Sequence, residues 1–407
     1  MMKKIDFRLL SLAVLLLAPP INFYLNAILQ YGLGMQSISM YVYIIIALFG
    51  VYSYRYFRAL DKFSAYLFVF LLIGFLFAAM IGGSKLLISS DFNPLESPFL
   101  QVFLYCFPLY ILTKTCTDYE KALNYLYNFA VFNLLLFFPS YYFSQLYLTA
   151  FKIEYMSISY NLLVALCVCI DMSWNKRKLI LSLLTIACLM FIVIIGSRGA
   201  ALSAILYILL LLIVKYRAGE KKGVLGVVLA AVVVIAIFGS RYLSGVNSLI
   251  DSGEIYSRNL SKLDDNTLFS HGDRDYIQNV IEAGLDENIF GYGLLGDRII
   301  FQNRHFSSVY SHNILLEMRA DFGVLIGPLI FALFLLRLIS SFFHFKGYKR
   351  DFLVIMIPAG FIKLWFSSSF LISPEFFCLL ALVLSQKNKR DRRTTSAVCH
   401  DERATAV

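Results

Sequence analysis

Charge is scarce in this sequence. Of its 407 residues only 15% are Asp, Glu, Lys or Arg, while 59% are hydrophobic and the mean hydropathy is +0.72. A soluble globular domain carries about 25% charged residues, so the shortage excludes that class and points to lipid as the solvent. The ten-residue alternation of a membrane barrel is also missing, which leaves helices as the spanning elements, because only a helix satisfies its backbone polar groups within one segment. No small-x-small cleavage site follows Lys3-Lys4 and the first apolar stretch, so that stretch is expected to be retained as a span. Neither an internal repeat nor a low-complexity run is visible, which gives no sign of a solenoid or of a disordered linker. The 7 cysteines lie in apolar runs or in segments read below as cytoplasmic, and no structural disulfide is expected. Cys167 and Cys169 have no His or carboxylate nearby, so they read as helix packing and not as metal ligands.

What is present in abundance is apolar run length. Stretches long enough to cross a hydrocarbon core fall near residues 9–29, 38–54, 63–81, 97–113, 122–146, 157–172, 179–195, 199–214, 224–240, 322–343, 351–371 and 374–386. The expected fold is all-α: a polytopic membrane protein of about 12 transmembrane helices, with 37 Phe and 26 Tyr to pack between them and anchor their ends. The expected organisation is spans 1–9 over residues 1–240, a large external loop over 241–312, spans 10–12 over 313–386 and a basic tail over 387–407.

The formal charge of +10 resembles that of a nucleic-acid binder until its placement is read. With the N-terminus inside, the basic clusters Lys3-Lys4, Arg55/Arg58/Lys62, Lys176–Lys178, Lys215–Lys222, Lys346–Arg350 and Lys387–Arg393 all fall on the cytoplasmic side. Only Lys85, Lys152 and Arg198 fall in the short outer segments, which is the asymmetry of the positive-inside rule. The excess charge therefore reports topology, with both termini cytoplasmic, and no nucleic-acid partner is implied. The basic tail reads as a solvated end that touches membrane lipid.

Chemistry is expected to concentrate in and around the long loop, where composition shifts to Asp, Asn, Ser, Gly and Arg. Residues 275–282 place apolar side chains at helical spacing, as an amphipathic helix lying against the membrane would. Gly291-Tyr-Gly293-Leu-Leu-Gly296 formally matches a dinucleotide fingerprint but lacks the preceding buried strand, and its glycines are expected in a tight turn or a close backbone approach. In Ser311-His-Asn-Ile-Leu-Leu-Glu317, Ser311 or Asn313 caps the next helix. His312 then reads either as a proton acceptor, with Glu317 orienting it or binding a substrate hydroxyl, or as a capping-segment histidine bonded to a loop carbonyl. Arg198, isolated at an outer turn, reads either as a snorkelling interfacial residue or as a guanidinium clamp on phosphate. Arg274, Arg298 and Arg304 are further donors of the same kind or solvated loop charges. Lys363, in the middle of the eleventh expected span, needs a partner or a cavity, and Glu375 is the partner at hand.

Taken in order, Gly-Ser-Arg-Gly at 196–199, Gly-Asp-Arg-Asp-Tyr at 272–276, Asn288-Ile-Phe-Gly-Tyr-Gly293, Ser311-His-Asn-Ile-Leu-Leu-Glu317 and Asp321-Phe-Gly-Val-Leu-Ile-Gly327 resemble the O-antigen polymerase and ligase superfamily (Wzy and WaaL). The similarity spans roughly residues 190–345. The resemblance implies a GT-C-like, metal-independent glycosyltransferase that needs no cofactor, in a bacterial inner membrane. Its implied donor is an undecaprenyl-diphosphate-linked oligosaccharide, with a chain-length regulator as a further candidate partner. By motif position Arg198 and Arg274 match the family's arginines and His312 its catalytic histidine, whereas nothing is carried over to Arg298 or Arg304. Polymerase is the preferred reading, ligation of the glycan to lipid A-core is second, and a flippase or other transporter is the rival from another class.

Overall fold

The structure is a computed structural model that describes residues 5–35, 37–83, 97–146, 155–176, 179–194, 197–220, 273–306 and 310–385. The ninth expected span at 224–240, the loop before residue 273 and the basic tail lie outside the described residues. Every regular element described is helical. They are α1 (Phe7–Ala27), α2 (Ser39–Ser53), α3 (Lys62–Gly82), α4 (Pro98–Gln101), α5 (Phe107–Lys114), α6 (Tyr119–Leu146), α7 (Tyr155–Lys176), α8 (Leu179–Ile194) and α9 (Arg198–Arg217) in the first half. The second half holds α10 (Asp273–Glu287), α11 (Gly296–Asn303), α12 (Ile314–His344), α13 (Gly347–Gly360) and α14 (Pro374–Val383).

Among the described residues seven helices are long and apolar enough to cross a membrane, and Pro98–Lys114, Leu181–Ile192 and Pro374–Val383 are shorter apolar helices. The chain is a multi-pass membrane protein. The helices start where short polar side chains can take up their first N–H groups: Asp6 accepts from Arg8 N at 3.0 Å, Asp61 from Ser64 N at 2.9 Å and Ser197 from Ala200 N at 3.2 Å.

Helix α1 is the hub of the bundle, packed on α6, α2 and α5, with Leu12, Leu15, Leu16 and Tyr24 buried. The Tyr24 hydroxyl donates to the Ile158 carbonyl at 2.9 Å and so ties α1 to α7. Helices α13 and α14 pack on each other, with α13 also on α7 and α9 and α14 on α5, which closes the bundle between its first and last elements. Helix α3 and the later part of α12 instead turn Tyr66, Ile73, Met80, Leu325, Leu329 and Leu333 outward, the arrangement lipid favours. Lipid is as apolar as these side chains, so association of the inner helices rests on close packing and on polar contacts such as that of Tyr24.

The expected spans up to residue 214 each fall on one helical segment, as does the twelfth, but the tenth and eleventh do not. The tenth was expected at 322–343; the helix begins at Ile314 and breaks at Gly323, whose φ of 86° is open to glycine and strained for other residues. The eleventh was expected as one helix over 351–371; α13 stops at Gly360, and residues 361–373 return as two short helical turns, Ile362–Trp365 and Phe370–Ile372. At that stop the chain passes close to α14, where a Cβ on Gly360 would stand 2.5 Å from the Glu375 carbonyl oxygen. A hydropathy window averages across such breaks because the residues on both sides remain apolar.

Candidate active site

Helix α10 lies where the amphipathic pattern placed it, but its apolar face is buried in protein. Ile277, Ile281 and Leu285 pack against Ile300, Phe301, Leu316 and Ala320 of α11 and α12. Arg319 locks α10 to α12 through a two-pronged pair with Glu282, at 2.5 and 2.7 Å, the planar donor fork meeting both carboxylate oxygens. Arg304 pairs with Glu287 at 2.6 Å on the surface.

The glycine motif stitches the break in α12. Tyr292 N donates to Ala320 O at 2.8 Å, Gly293 N to Asp321 O at 3.0 Å and Val324 N to Ile289 O at 2.9 Å, so the groups freed at Gly323 find partners. Gly291 has a φ of 80°, and a Cβ there would stand 2.5 Å from Gly323 N, which is the close backbone approach expected of these glycines. Asp321 then accepts from Gly296 N at 2.7 Å at the start of α11.

From α11 a buried carboxylate reaches the histidine segment. Asp297 accepts from Arg298 N and from Ser311 N, both at 2.8 Å, and Asn313 caps α12 by accepting from Leu315 N at 2.9 Å and Leu316 N at 3.3 Å. Burial pushes the Asp297 carboxyl up, opposed by the Arg298 charge and the Ser311 N–H. Between these two anchors sits His312 with a φ of 56°, a left-handed conformation that costs about 1–3 kcal/mol and persists because both neighbours are fixed. Its ring centroid is 4.2 Å from that of Tyr310. Burial first and the Arg274 charge second push the imidazole down to about 4, so at neutral pH it is uncharged and able to accept a proton.

Arg274 is held by the turn that follows α13, where its Nη2 donates to the Phe366 carbonyl at 3.0 Å. The same turn carries Lys363, whose Nζ lies 3.6 Å from Glu375 and 5.7 Å from the centre of the Tyr160 ring, so the expected Lys363–Glu375 pair is present. The Tyr160 hydroxyl lies against Gly199 at the start of α9 and within electrostatic reach of Arg274 and Tyr310. Gly199 has no Cβ because the Tyr160 hydroxyl and Phe366 occupy the space one would need. Ser197 N donates to Ser159 at 3.1 Å, which joins this end of α9 to α7. One end of the bundle thus gathers His312, Arg274, Lys363, Tyr160 and the N-terminus of α9, an anion-favouring backbone terminus.

The other sequence-marked residues divide. Arg198 is the first residue of α9, and its side chain lies outside the described residues. Glu317 is buried: one carboxylate oxygen accepts from the Ser369 hydroxyl and the other from Phe370 N at 3.1 Å. These two bonds hold the 369–370 turn, and each carboxylate oxygen keeps a lone pair for one further donor. Arg298 lies among Asp297, Glu317 and Asp321, with its Nε and Nη2 buried and without a hydrogen-bond partner among the described residues. Asp297, Tyr160, Ser369 and Phe366 were not marked by the sequence. Asp297 adjoins one of the motif glycines, a signal that was available; a contact through a backbone carbonyl, as at Phe366, leaves none.

Comparison with known proteins bears on one segment. No curated protein and no solved structure matches the chain. Residues 183–332 match the family model Wzy_C, described as O-Antigen ligase. That stretch contains Arg198, Arg274, His312 and Glu317 and ends before Lys363. Much of the polar end of this membrane bundle thus lies in the segment, residues 183–332, that is similar to Wzy_C.

Proposed function

We propose that the protein is an O-antigen polymerase, a metal-independent glycosyltransferase of the inner membrane that acts at the periplasmic face, with both termini cytoplasmic. In this reading it moves the growing glycan from its undecaprenyl-diphosphate carrier to a lipid-linked repeat unit. The observation that carries it is the uncharged, half-buried His312 beside the Arg274 guanidinium at one end of the bundle. The acceptor hydroxyl attacks the anomeric carbon while His312 takes its proton. The bond from that carbon to the diphosphate oxygen breaks, and the leaving diphosphate keeps the electron pair, its growing charge met by Arg274, Arg198 and the N-terminus of α9. The proton on His312 then passes to solvent. Loss of the product restores the free site.

Ligation to lipid A-core is the second reading, favoured by the family description itself. Both readings share the donor and the residues above and differ in the acceptor. The test is the surface polysaccharide of a strain lacking the gene, resolved as a ladder and complemented with wild type or His312→Ala. Single repeat units on lipid A-core, with a ladder restored by wild type alone, support the polymerase. Long chains retained on the lipid carrier and absent from the core make it the ligase, and an unchanged ladder in the null removes both.

A further inference from the structure

Lys363 is a cation at this end that the mechanism above does not use, and it lies outside the segment matched to Wzy_C. Its side chain is 17% exposed, so the ammonium has given up most of its water. A desolvated ammonium needs compensation. Glu375 supplies only part, since 3.6 Å is beyond normal hydrogen-bond length and the second Glu375 oxygen already accepts from Ser373 at 3.0 Å. Among the described residues no hydrogen bond from the Lys363 ammonium is present. A further neighbour is the face of Tyr160, whose hydroxyl end lies against Gly199 and within reach of Arg274.

The backbone fixes this convergence. Lys363 O accepts from Phe366 N at 3.0 Å and from Ser367 N at 2.8 Å, which closes a tight turn, and the Phe366 carbonyl of that turn receives Arg274. Two cations from distant parts of the chain therefore approach Tyr160, whose hydroxyl lies against the start of α9, and Glu375 is paired with Lys363 alone. Glu317, Asp297 and Asp321 form a separate buried set around Arg298. The set around Tyr160 is left with an excess of positive charge, which suits an anion carrying more than one negative charge.

We infer that Lys363 binds the diphosphate of the lipid-linked donor, exchanging its loose contact with Glu375 for phosphate oxygens. This rests on the donor assigned under Proposed function. Binding of undecaprenyl diphosphate to the full-length protein in nanodiscs tests it, with wild type, Lys363→Met, Lys363→Arg and the double variant Lys363→Met/Glu375→Gln. Lys363→Met is expected to bind about tenfold more weakly, the scale of a lost hydrogen bond to a charged group. Lys363→Arg is expected to retain binding, and phosphatidylglycerol at equal concentration not to compete. The double variant removes the charge that Lys363→Met leaves unpaired, so it keeps the fold intact and is expected to remain as weak as the single variant. Wild-type affinity in either Lys363→Met or the double variant, or competition by phosphatidylglycerol, overturns the inference. Absence of binding by wild type would instead bring down the donor assignment itself.

Discussion

Two polar networks at the two ends of the bundle, one between the unbroken helices α7 and α9 and one around His312, hold their charged groups in different ways. At the end away from His312, Lys215 donates to Asn175 at 2.8 Å, Asn175 donates to Asp171 at 3.2 Å, and Trp174 donates to Glu220 at 2.7 Å. These residues sit in or next to helices α7 and α9, which run unbroken there, and side chain meets side chain. At the His312 end the helices stop and restart, and backbone groups become ligands: Phe366 O for Arg274, Phe370 N for Glu317, Ser311 N for Asp297. Unbroken helices keep their carbonyl and N–H groups to themselves, so their buried charges tie helices together and do little else. Broken helices in lipid demand that the freed groups be satisfied, and the same groups then fix charged side chains in place. On the function proposed above, the difference separates a structural network from a chemical one.

Substitution at the two ends should therefore have unlike consequences. The largest effect is expected from His312→Ala, which removes the proton acceptor and should lower turnover about 10²–10⁴-fold with donor binding largely kept. Next comes Asp297→Ala, which frees Ser311 N and the strained histidine. It should lower thermal stability by about 1–3 kcal/mol, the cost of a lost buried acceptor, and reduce turnover more than donor affinity. Asp297→Asn keeps an acceptor oxygen and should recover much of the turnover, whereas equal losses in the two variants would remove the positioning role.

A smaller effect is expected in the pH profile. The folded-state value of about 4 for His312 lies below the ordinary value of 6.5, so the uncharged form is favoured by the fold. The stability this represents is present above pH 6.5 and is lost as pH falls towards and through 4. For catalysis, kcat/KM should stay level from pH 7 to about 5 and fall only on approach to 4. Arg274→Gln removes a neighbouring positive charge, so it should raise the histidine value and move the acid limb to higher pH; a limb near 6.5 in wild type would contradict the burial argument. The smallest effect on chemistry is expected from Lys215→Met at the opposite end. Turnover should stay within about twofold while the melting temperature drops, because a buried network loses a partner. A loss of turnover as large as that of Asp297→Ala would erase the contrast between the two ends.

The sequence carried part of this picture, for physical reasons. Long apolar runs located the spans of the first half because those helices are continuous and hydropathy is a local property. Gly291 and Gly296 were legible as backbone approaches, Asn313 as one of two possible caps, and the charge of Lys363 in an apolar run already demanded Glu375 or something like it. The breaks at Gly323 and Gly360 were not legible, since apolar residues continue on both sides. Nor was the placement of Glu317, whose partners Ser369 and Phe370 are more than fifty residues away, across a turn that no local pattern announces.

The central claim is that His312 takes the acceptor's proton at a site whose cations hold the diphosphate. It is tested most directly by single-turnover glycan transfer in nanodiscs, with undecaprenyl-diphosphate-linked donor binding measured on the same samples of wild type and His312→Ala. The account predicts that the variant binds donor within about twofold of wild type and transfers at least 10²-fold more slowly. Transfer at the wild-type rate with intact binding would contradict it.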